Sequence, residues 1–315
     1  MLLEVRNLNA GYRSNNKIVK AVKNVSFNVE EDDFLGIAGE SGCGKSTLLF
    51  SILKLLKKPG EIFGGEIIYK GENILKLDKE KLRKKRWVEF SLVTQSAMNA
   101  LNPVFKIKDQ IMDVIFEHSN YSKTEAISMV EKVLHMVGIQ QERMDSYPHQ
   151  LSGGMKQRVA IAMALVFSPS LVVMDEPTTS LDVVVQRSIM DQIDEIRREN
   201  RFSIIFVTHD ISLLFELSKR IAIMYAGEIV EIGPTKAVYS HPLHPYTEGL
   251  INSFPRLTAT SKEYRGIPGR IPDLSKEIEG CPFKDRCIYR KDLCDKKPEF
   301  KEIIPGRWVA CHFPR

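Results

Sequence analysis

Residues 39–47 form a glycine-rich run that ends in a lysine and two hydroxyl residues. The segment GESGCGKS, from Gly39 to Ser46, matches the pattern G-x-x-x-x-G-K-[ST] in full. Glycines let the backbone turn so that successive N–H groups point at an anion, and a following helix adds the positive end of its dipole. Lys45 is expected to reach the β- and γ-phosphates of ATP, and the Ser46 hydroxyl to bind Mg²⁺. The residues predicted to contact ATP here are Gly39, Glu40, Ser41, Gly42, Cys43, Gly44, Lys45, Ser46 and Thr47.

Carboxylates and a histidine follow two later apolar runs. The run 171–174 ends in Asp175 and Glu176, and the run 203–207 is followed by Thr208 and His209. A carboxylate at a strand end can hold Mg²⁺, and its neighbour can act as general base toward the attacking water. We therefore predict Asp175 as a metal ligand and Glu176 as the base. His209 is predicted to hydrogen-bond the γ-phosphate, because ligands bind at the carboxyl ends of strands.

The elements around these residues predict an α/β fold. An apolar run at 34–38 precedes the glycines, and a helical pattern follows them at 48–56. The helical stretch 183–199 separates the two apolar runs that end in polar side chains. Alternation of this kind is typical of a mainly parallel sheet covered by helices.

Other segments predict different local structure. Val25, Phe27 and Val29 alternate with polar neighbours, which indicates an N-terminal β region of antiparallel type. Residues 97–165 read as a helical subdomain, and 221–232 as a hairpin that turns at Ala226-Gly227. Prolines recur beyond residue 240, so we predict a nucleotide-binding domain at 1–240 and a small C-terminal module at 241–315.

Composition excludes some classes of protein. The chain has 315 residues and a net charge of only +5, without the concentrated basic surface of a nucleic-acid-binding protein. No apolar run approaches the 18 or so residues of a membrane span, and the N-terminus has no signal-peptide layout. We expect a cytoplasmic chain that does not bind nucleic acid and relies on other subunits for any membrane part.

The segment LSGGMKQR, from Leu151 to Arg158, resembles the LSGGQ signature of ATP-binding-cassette (ABC) ATPases, with Met155 where Gln is commonest. Ser152 can cap the following helix, and Gly153 and Gly154 let the backbone approach an anion. In that family the element contacts the γ-phosphate of ATP held by a partner subunit. The resemblance therefore implies that the chain works as a dimer.

Other positions fit the same family. Tyr12 resembles the aromatic residue that stacks on adenine. Gln95 resembles the glutamine that contacts Mg²⁺ and couples the nucleotide to the transmembrane subunits. The segment Ser180-Leu181-Asp182 resembles the D-loop, and His209 the switch histidine. The resemblance implies an ATPase whose catalytic residues are Lys45, Gln95, Glu176 and His209.

Three further segments resemble the ATPases of oligopeptide and dipeptide importers. They are MNALNPV at 98–104, HPLHPYT at 241–247 and GCPF…RC at 280–287. The resemblance implies a D-type ATPase at the cytoplasmic face of the membrane, paired with an F-type ATPase or with itself. It also implies two integral membrane permease subunits and, indirectly, an extracytoplasmic solute-binding protein. Transporters of this group also carry oligosaccharides or nickel.

Four of the five cysteines lie in the last 35 residues, with the spacing C-x5-C-x6-C-x16-C. In a cytosolic chain such a cluster indicates a metal site better than disulfides, and four thiolates can hold Zn²⁺ or a [4Fe–4S] cluster. Zinc sites usually have shorter spacings, and the resemblance to the importer extension favours the iron–sulfur cluster. The predicted ligands are Cys281, Cys287, Cys294 and Cys311, with zinc and then an unmetallated thiol cluster as alternatives.

Two other functions remain open on the residues alone. One is an ABC ATPase that acts on ribosomes or DNA, although the known types carry two cassettes or long insertions that this chain lacks. The other is a regulatory nucleotide-binding module without turnover, against which Glu176 argues.

Overall fold

A computed structural model gives the structure of residues 1–14, 17–95, 100–178, 181–253 and 266–315. These residues form two compact units. The first comprises 1–30, 34–76 and 207–315, and the second comprises 31–33 and 77–206. Among the residues described, no helix combines the length and the apolar character needed to cross a membrane.

The elements of the described residues are these. The strands are β1 (Leu3–Ser14), β2 (Lys17–Val29), β3 (Phe34–Ala38), β4 (Gly60–Tyr69), β5 (Glu72–Asn73), β6 (Phe90–Val93), β7 (Leu171–Asp175), β8 (Ser203–Val207), β9 (Arg220–Tyr225), β10 (Glu228–Pro234), β11 (Lys301–Ile304) and β12 (Arg307–Val309). The α-helices are α1 (Lys45–Ile52), α2 (Lys79–Lys85), α3 (Ile107–His118), α4 (Lys123–Met136), α5 (Gly153–Leu165), α6 (Val183–Asn200), α7 (Ile211–Leu217), α8 (Thr235–Ser240) and α9 (Pro245–Asn252).

The first unit contains an antiparallel sheet with the strand order β2-β1-β4-β5. Val25, Phe27 and Val29 are buried along β2 while their neighbours are more exposed, as the alternation in the sequence predicts. This sheet confirms the expected N-terminal antiparallel region.

The first unit also holds the strands β11-β12-β10-β9-β3 in that order. β3 pairs with β9 in parallel, and the remaining pairs are antiparallel. Ala226 and Gly227 both have positive φ (50° and 89°) between β9 and β10. Two-residue hairpin turns whose twist matches that of the flanking strands have positive φ at both central residues. The predicted hairpin is therefore confirmed.

The second unit contains the strands β8-β7-β6, of which β6 and β7 are parallel. Every residue of β7 and β8 is buried, as expected for short apolar strands inside a parallel sheet. The helices α3, α4, α5 and α6 belong to this unit. The predicted α/β architecture with its helical stretch is confirmed.

The C-terminal part of the first unit has a polar centre. Glu231 on β10 is fully buried, and its carboxylate accepts hydrogen bonds from the backbone N–H groups of Leu243 (3.0 Å) and His244 (2.9 Å). Arg307 on β12 donates to the same carboxylate at 2.7 Å and to the carbonyl of His241 at 2.6 Å. A buried charge is tolerated when it is paired and hydrogen-bonded, and here one carboxylate fixes the segment 241–244 against two strands.

His244 sits beside this centre and is almost entirely buried. Its Nδ1 accepts a hydrogen bond from the N–H of Tyr246 at 3.0 Å, so the ring caps the start of α9. Burial lowers the pKa of His244 to about 3, and the ring is therefore neutral at physiological pH.

We expect His244 to make the protein less stable in acid. The unfolded chain binds a proton near the ordinary pKa of 6.5, whereas the folded chain resists protonation down to about pH 3. Stability is therefore complete above pH 6.5 and falls as the pH drops toward 3, by about 1.4 kcal/mol per pH unit from this group. Urea unfolding of the wild type and of His244→Asn between pH 4 and 7 measures this contribution.

Asparagine is the matched replacement because its side-chain oxygen can still cap Tyr246 but does not titrate. The free energy of unfolding of His244→Asn should depend less steeply on pH than that of the wild type. Parallel curves for the two proteins would show that His244 does not cause the acid sensitivity.

Candidate functional site

The glycine turn after β3 is closely packed within the first unit. A Cβ on Gly39 would lie 2.2 Å from the carbonyl oxygen of Met224, and a Cβ on Gly44 would lie 2.0 Å from that of Ala21. Gly44 also has a φ of +108°, a conformation that side chains disfavour. The pattern therefore requires glycine at both positions. The Ser41-Gly42 tip and Ser46 are exposed.

Lys45 lies at the start of α1 and is only 8% exposed. Its ammonium group turns back over the loop. Its Nζ donates to the carbonyl oxygens of Gly39 (2.7 Å) and Glu40 (3.1 Å). The cation is thus held directly above the turn by neutral backbone acceptors. Cys43 fills the space beneath, fully buried, and burial raises the pKa of its thiol.

Tyr12 stands next to the same helix. It lies on β1 between Val19 of β2 and Gly60 of β4. Its hydroxyl is 3.1 Å from Oγ1 of Thr47, and the side chain is 37% exposed. An aromatic face is therefore available beside the phosphate loop, although the two residues are 35 positions apart in the chain.

His209 is also in the first unit, in the turn between β8 and α7, and it is exposed. Asp210 fixes that turn: its N–H donates to Oγ1 of Thr208 at 3.1 Å, and its carboxylate accepts from the N–H of Ser212 at 3.0 Å. The capped helix holds the imidazole at the end of β8.

The second unit brings Gln95 and Glu176 together. Asp175 ends β7 and is buried, and Glu176 follows it with a φ of 47°. A non-glycine residue in this conformation is uncommon and is found preferentially at functional sites. The amide of Gln95 donates to the Glu176 carboxylate at 3.0 Å, which fixes the direction of that carboxylate.

The signature-like segment also lies in the second unit. Ser152 caps α5 by accepting from the N–H of Met155 at 3.3 Å, as its sequence position predicts. A Cβ on Gly154 would lie 2.9 Å from Cγ1 of Val185, so the glycine permits close packing of α5 on α6. Asp182 caps α6 by accepting from the N–H of Val185 at 2.9 Å.

Some positions singled out in the sequence lie outside the described residues. They are Met98, Asn99 and Ser180.

Comparison with known proteins decides the family. Residues 22–179 match the model of the family described as ABC transporter. The oligopeptide transport ATP-binding protein OppD of Escherichia coli is 40% identical over 315 residues, which cover 99% of this chain and 93% of that protein.

The chain belongs to the ABC transporter family.

Further matches agree with this ABC chain being an ATPase. Residues 230–294 match a second model, described as oligopeptide/dipeptide transporter, C-terminal region. The dipeptide transport ATP-binding protein DppD of Caldanaerobacter subterraneus is 39% identical and covers 99% of this chain and 97% of that protein. The dimeric ATP-binding cassette MJ0796, in a post-hydrolysis state with ADP and Pi, is 30% identical with a TM-score of 0.66 over 74% of this chain and 99% of that one. The chain is an ATP-binding and ATP-hydrolysing subunit of a transporter.

The predicted iron–sulfur cluster is wrong for this ABC protein, and so is the zinc alternative. Among the described residues, which include all four C-terminal cysteines, no group of three or more His, Cys, Asp or Glu side chains is arranged to hold a metal ion. Cys281, Cys287, Cys294 and Cys311 are free thiols that line one small cavity of about 20 Å³.

The spacing of the cysteines along the chain does not fix how their side chains are arranged in the fold. Burial raises the pKa of Cys281 to about 11 and also raises the pKa values of Cys287 and Cys311. Cys281 and Cys294 are buried, Cys287 and Cys311 are partly exposed, and the four thiols pack as small, weakly polar side chains. The unmetallated cluster is the alternative that the structure supports.

The C-terminal segment packs on β9 through a cluster of buried aromatic rings. Phe283 packs against Tyr225 (ring centroids 5.3 Å apart) and Tyr246 (5.4 Å), and all three side chains are buried. Aromatic rings at these centroid distances stabilise a fold through the apolar area that they bury and through their relative orientation.

Sequence reasoning missed the residues that join this segment to the phosphate loop. Arg286 pairs with Glu40 through two hydrogen bonds of 2.6 and 2.9 Å, and the hydroxyl of Tyr246 accepts from the N–H of Glu40 at 2.9 Å. The pairs are separated by more than 200 residues in the chain, so no local pattern predicts them.

Proposed function

We propose that this chain hydrolyses ATP to power the import of oligopeptides or dipeptides through a membrane transporter. The observation that carries the peptide assignment is the match of residues 230–294 to the C-terminal region of oligopeptide/dipeptide transporters. Relatives named as oligopeptide transport and as dipeptide transport ATP-binding proteins share nearly the same percentage identity with this chain, over almost its whole length. Their names support the same solute class. Oligosaccharides and nickel remain the other solutes to test.

The phosphate loop fits a triphosphate. Gly44 is the N-cap residue of α1, so no side chain caps this helix, and its first turn has no acidic residue. Its N–H groups and dipole therefore favour an anion at this end. The Lys45 ammonium is bound to carbonyl oxygens that a phosphate oxygen can replace, because a charged acceptor binds an ammonium more strongly than a neutral one.

In the proposed reaction a water attacks the γ-phosphorus of ATP. The new P–O bond forms as the bond from the γ-phosphorus to the bridging oxygen breaks, and ADP and phosphate leave. Glu176 takes the proton of the water, and Gln95 orients that carboxylate through the 3.0 Å hydrogen bond. Lys45 stabilises the charge on the phosphoryl oxygens, and His209 is proposed to hydrogen-bond the γ-phosphate.

Mg²⁺ would be held by Ser46, Asp175 and Gln95, and when bound it neutralises charge on the phosphate oxygens. Hydroxyl, carboxylate and amide oxygens are the hard donors that Mg²⁺ prefers, so this donor set fits the ion.

The remaining roles follow from pairing with a second ATPase. We propose that Tyr12 stacks on adenine, and that Ser152, Gly153 and Gly154 contact ATP bound to a partner, with Asp182 beside them. The partner is an F-type ATPase or a second copy of this chain. Two integral membrane permease subunits would place the pair at the cytoplasmic face of the membrane. An extracytoplasmic solute-binding protein would deliver the solute to the permease subunits and is therefore an indirect partner. Residues 1–240 would form the cassette, with 97–165 as its helical subdomain, and 241–315 the importer-type extension.

Solute uptake tests this proposal. In cells that lack the chain, the wild type should restore uptake of a radiolabelled dipeptide or oligopeptide, and Glu176→Gln should not. Glu199→Gln, the same chemical change at an exposed position of α6, should restore uptake like the wild type. Normal peptide uptake without the chain, with loss of oligosaccharide or nickel uptake instead, would contradict the peptide assignment. Binding to ribosomes or DNA, without association with membrane subunits, would contradict import altogether.

A further inference from the structure

Glu40 introduces a negative charge into a loop that must bind a polyanion. Its side chain is about one quarter exposed and belongs to the second residue of the glycine pattern. A carboxylate at this position would repel the phosphates of ATP, because like charges a few ångströms apart interact unfavourably at the partly buried surface of a protein. Something must compensate this charge for the loop to work.

Arg286 supplies the compensation from the C-terminal segment. Both of its terminal nitrogens donate to the Glu40 carboxylate, at 2.6 and 2.9 Å, in the forked geometry that arginine forms with carboxylates. The arginine side chain is almost fully buried (6% exposed), so solvent screens the pair only weakly.

The arginine is itself held from several sides. Its Nε donates to the carbonyl of Pro268 at 2.7 Å, and its guanidinium lies over the ring of Tyr225 at 5.7 Å. Gly269 lies directly against its stem, where a Cβ would come within 3.2 Å of Cγ. The guanidinium is therefore fixed in place before any nucleotide binds.

The main chain of Glu40 is held as well. Its N–H donates to the hydroxyl of Tyr246 at 2.9 Å, and its carbonyl accepts from Lys45 at 3.1 Å. Tyr246 is fully buried against Tyr225, with ring centroids 4.6 Å apart. The side chain, N–H and carbonyl of one loop residue are thus all bonded, two of them to residues more than 200 positions away.

We propose that Arg286 is a positioning residue of the ATP site, which neutralises and anchors Glu40 so that the phosphate loop accepts a triphosphate. This inference rests on the proposed nucleotide-binding role of the loop. It gives the C-terminal segment a direct part in ATP binding: a displacement of Arg286 would release a carboxylate next to the phosphates and weaken binding.

A double-mutant cycle tests the proposal by equilibrium binding of ATP to the full chain. Arg286→Met should weaken ATP binding by about tenfold or more, since a hydrogen-bonded charge loses its partner. Glu40→Gln alone should change affinity much less. The double variant Arg286→Met/Glu40→Gln should recover most of the loss, because the uncompensated charge is gone.

Arg290→Met is the matched control. Arg290 lies in the same segment and pairs with Asp285 and Asp295 at 3.1 Å, but its side chain is exposed and these ion pairs include no residue of the phosphate loop. It should bind ATP like the wild type. Thermal unfolding of each variant measures folding separately. If Arg286→Met does not fold, Arg286→Lys takes its place in the assay. It keeps the charge but not the forked pair of hydrogen bonds, so its affinity for ATP should lie between those of the wild type and of a variant without the charge.

Two results would overturn the proposal. Either Arg286→Met or Arg286→Lys, once folded, binds ATP with wild-type affinity, or Glu40→Gln fails to rescue a folded Arg286→Met, which would make the arginine merely structural. Lys45→Ala in the same assay separates this from the proposed function. If Lys45→Ala also binds normally, the nucleotide site itself is misplaced, whereas if only Lys45→Ala loses binding, the inference about Arg286 alone fails.

Discussion

Glu176→Gln should bind ATP with nearly wild-type affinity and lose its hydrolysis by about 100-fold or more, which is the contribution typical of a general base. The amide has the size and shape of the carboxylate but does not accept a proton at neutral pH. Gln95 can still donate to the amide oxygen in place of the carboxylate oxygen that it contacts at 3.0 Å. The loop should therefore keep its geometry, including the positive φ of residue 176.

The measurement is ATP turnover and ATP affinity on the same preparation, with the mass of the complex followed by light scattering. If ATP joins two cassettes, the variant should accumulate as an ATP-bound dimer, because hydrolysis no longer separates them. Glu199→Gln should behave as the wild type. Undiminished turnover in Glu176→Gln would mean that another group accepts the proton of the attacking water.

Lys45→Ala should lose ATP affinity by about 100-fold or more, since one unit-charge contact near 4 Å is worth a few kcal/mol at a partly buried site. The wild-type ammonium is already above the turn, bonded to the carbonyl oxygens of Gly39 and Glu40. The nucleotide therefore meets a positive charge that is in position before binding. Removal of that charge abolishes its attraction to every phosphate oxygen that it would contact.

The matched control is Lys54→Ala. Lys54 follows α1 and donates to the carbonyl of Leu75 at 2.9 Å, so this variant also loses a lysine-to-carbonyl hydrogen bond, away from the loop. Titration with a fluorescent ATP analogue should separate the two variants clearly. Equal affinities for Lys45→Ala and the wild type would place the phosphates elsewhere on the chain.

The sequence predicts well those features that depend on neighbours in the chain. The strands β3, β7 and β8 are short apolar runs, and the cap by Ser152 depends on the N–H group three residues away. The glycines of the turn follow from a pattern of eight positions. Local rules of this kind need no knowledge of the tertiary structure.

Features made by distant segments were not predictable in this way. The bond of Arg286 to Glu40 spans 246 positions, and nothing in the residues around either partner announces it. The metal prediction for the cysteines failed for a related reason: their number and spacing suggest ligands, whereas a metal site depends on how the side chains are arranged around one point. That arrangement is a property of the folded chain, and one sequence does not display it.

The short strands at the C-terminus have a practical consequence for experiments on shortened versions of this protein. β12 covers the outer side of β10 and carries Arg307, the counter-ion of the fully buried Glu231. A fragment that stops before residue 300 would leave a bare strand edge open to self-association and an unneutralised charge in its interior. Poor behaviour of such a fragment would therefore reflect damage to its fold, and its ATPase rate would not describe an intact cassette.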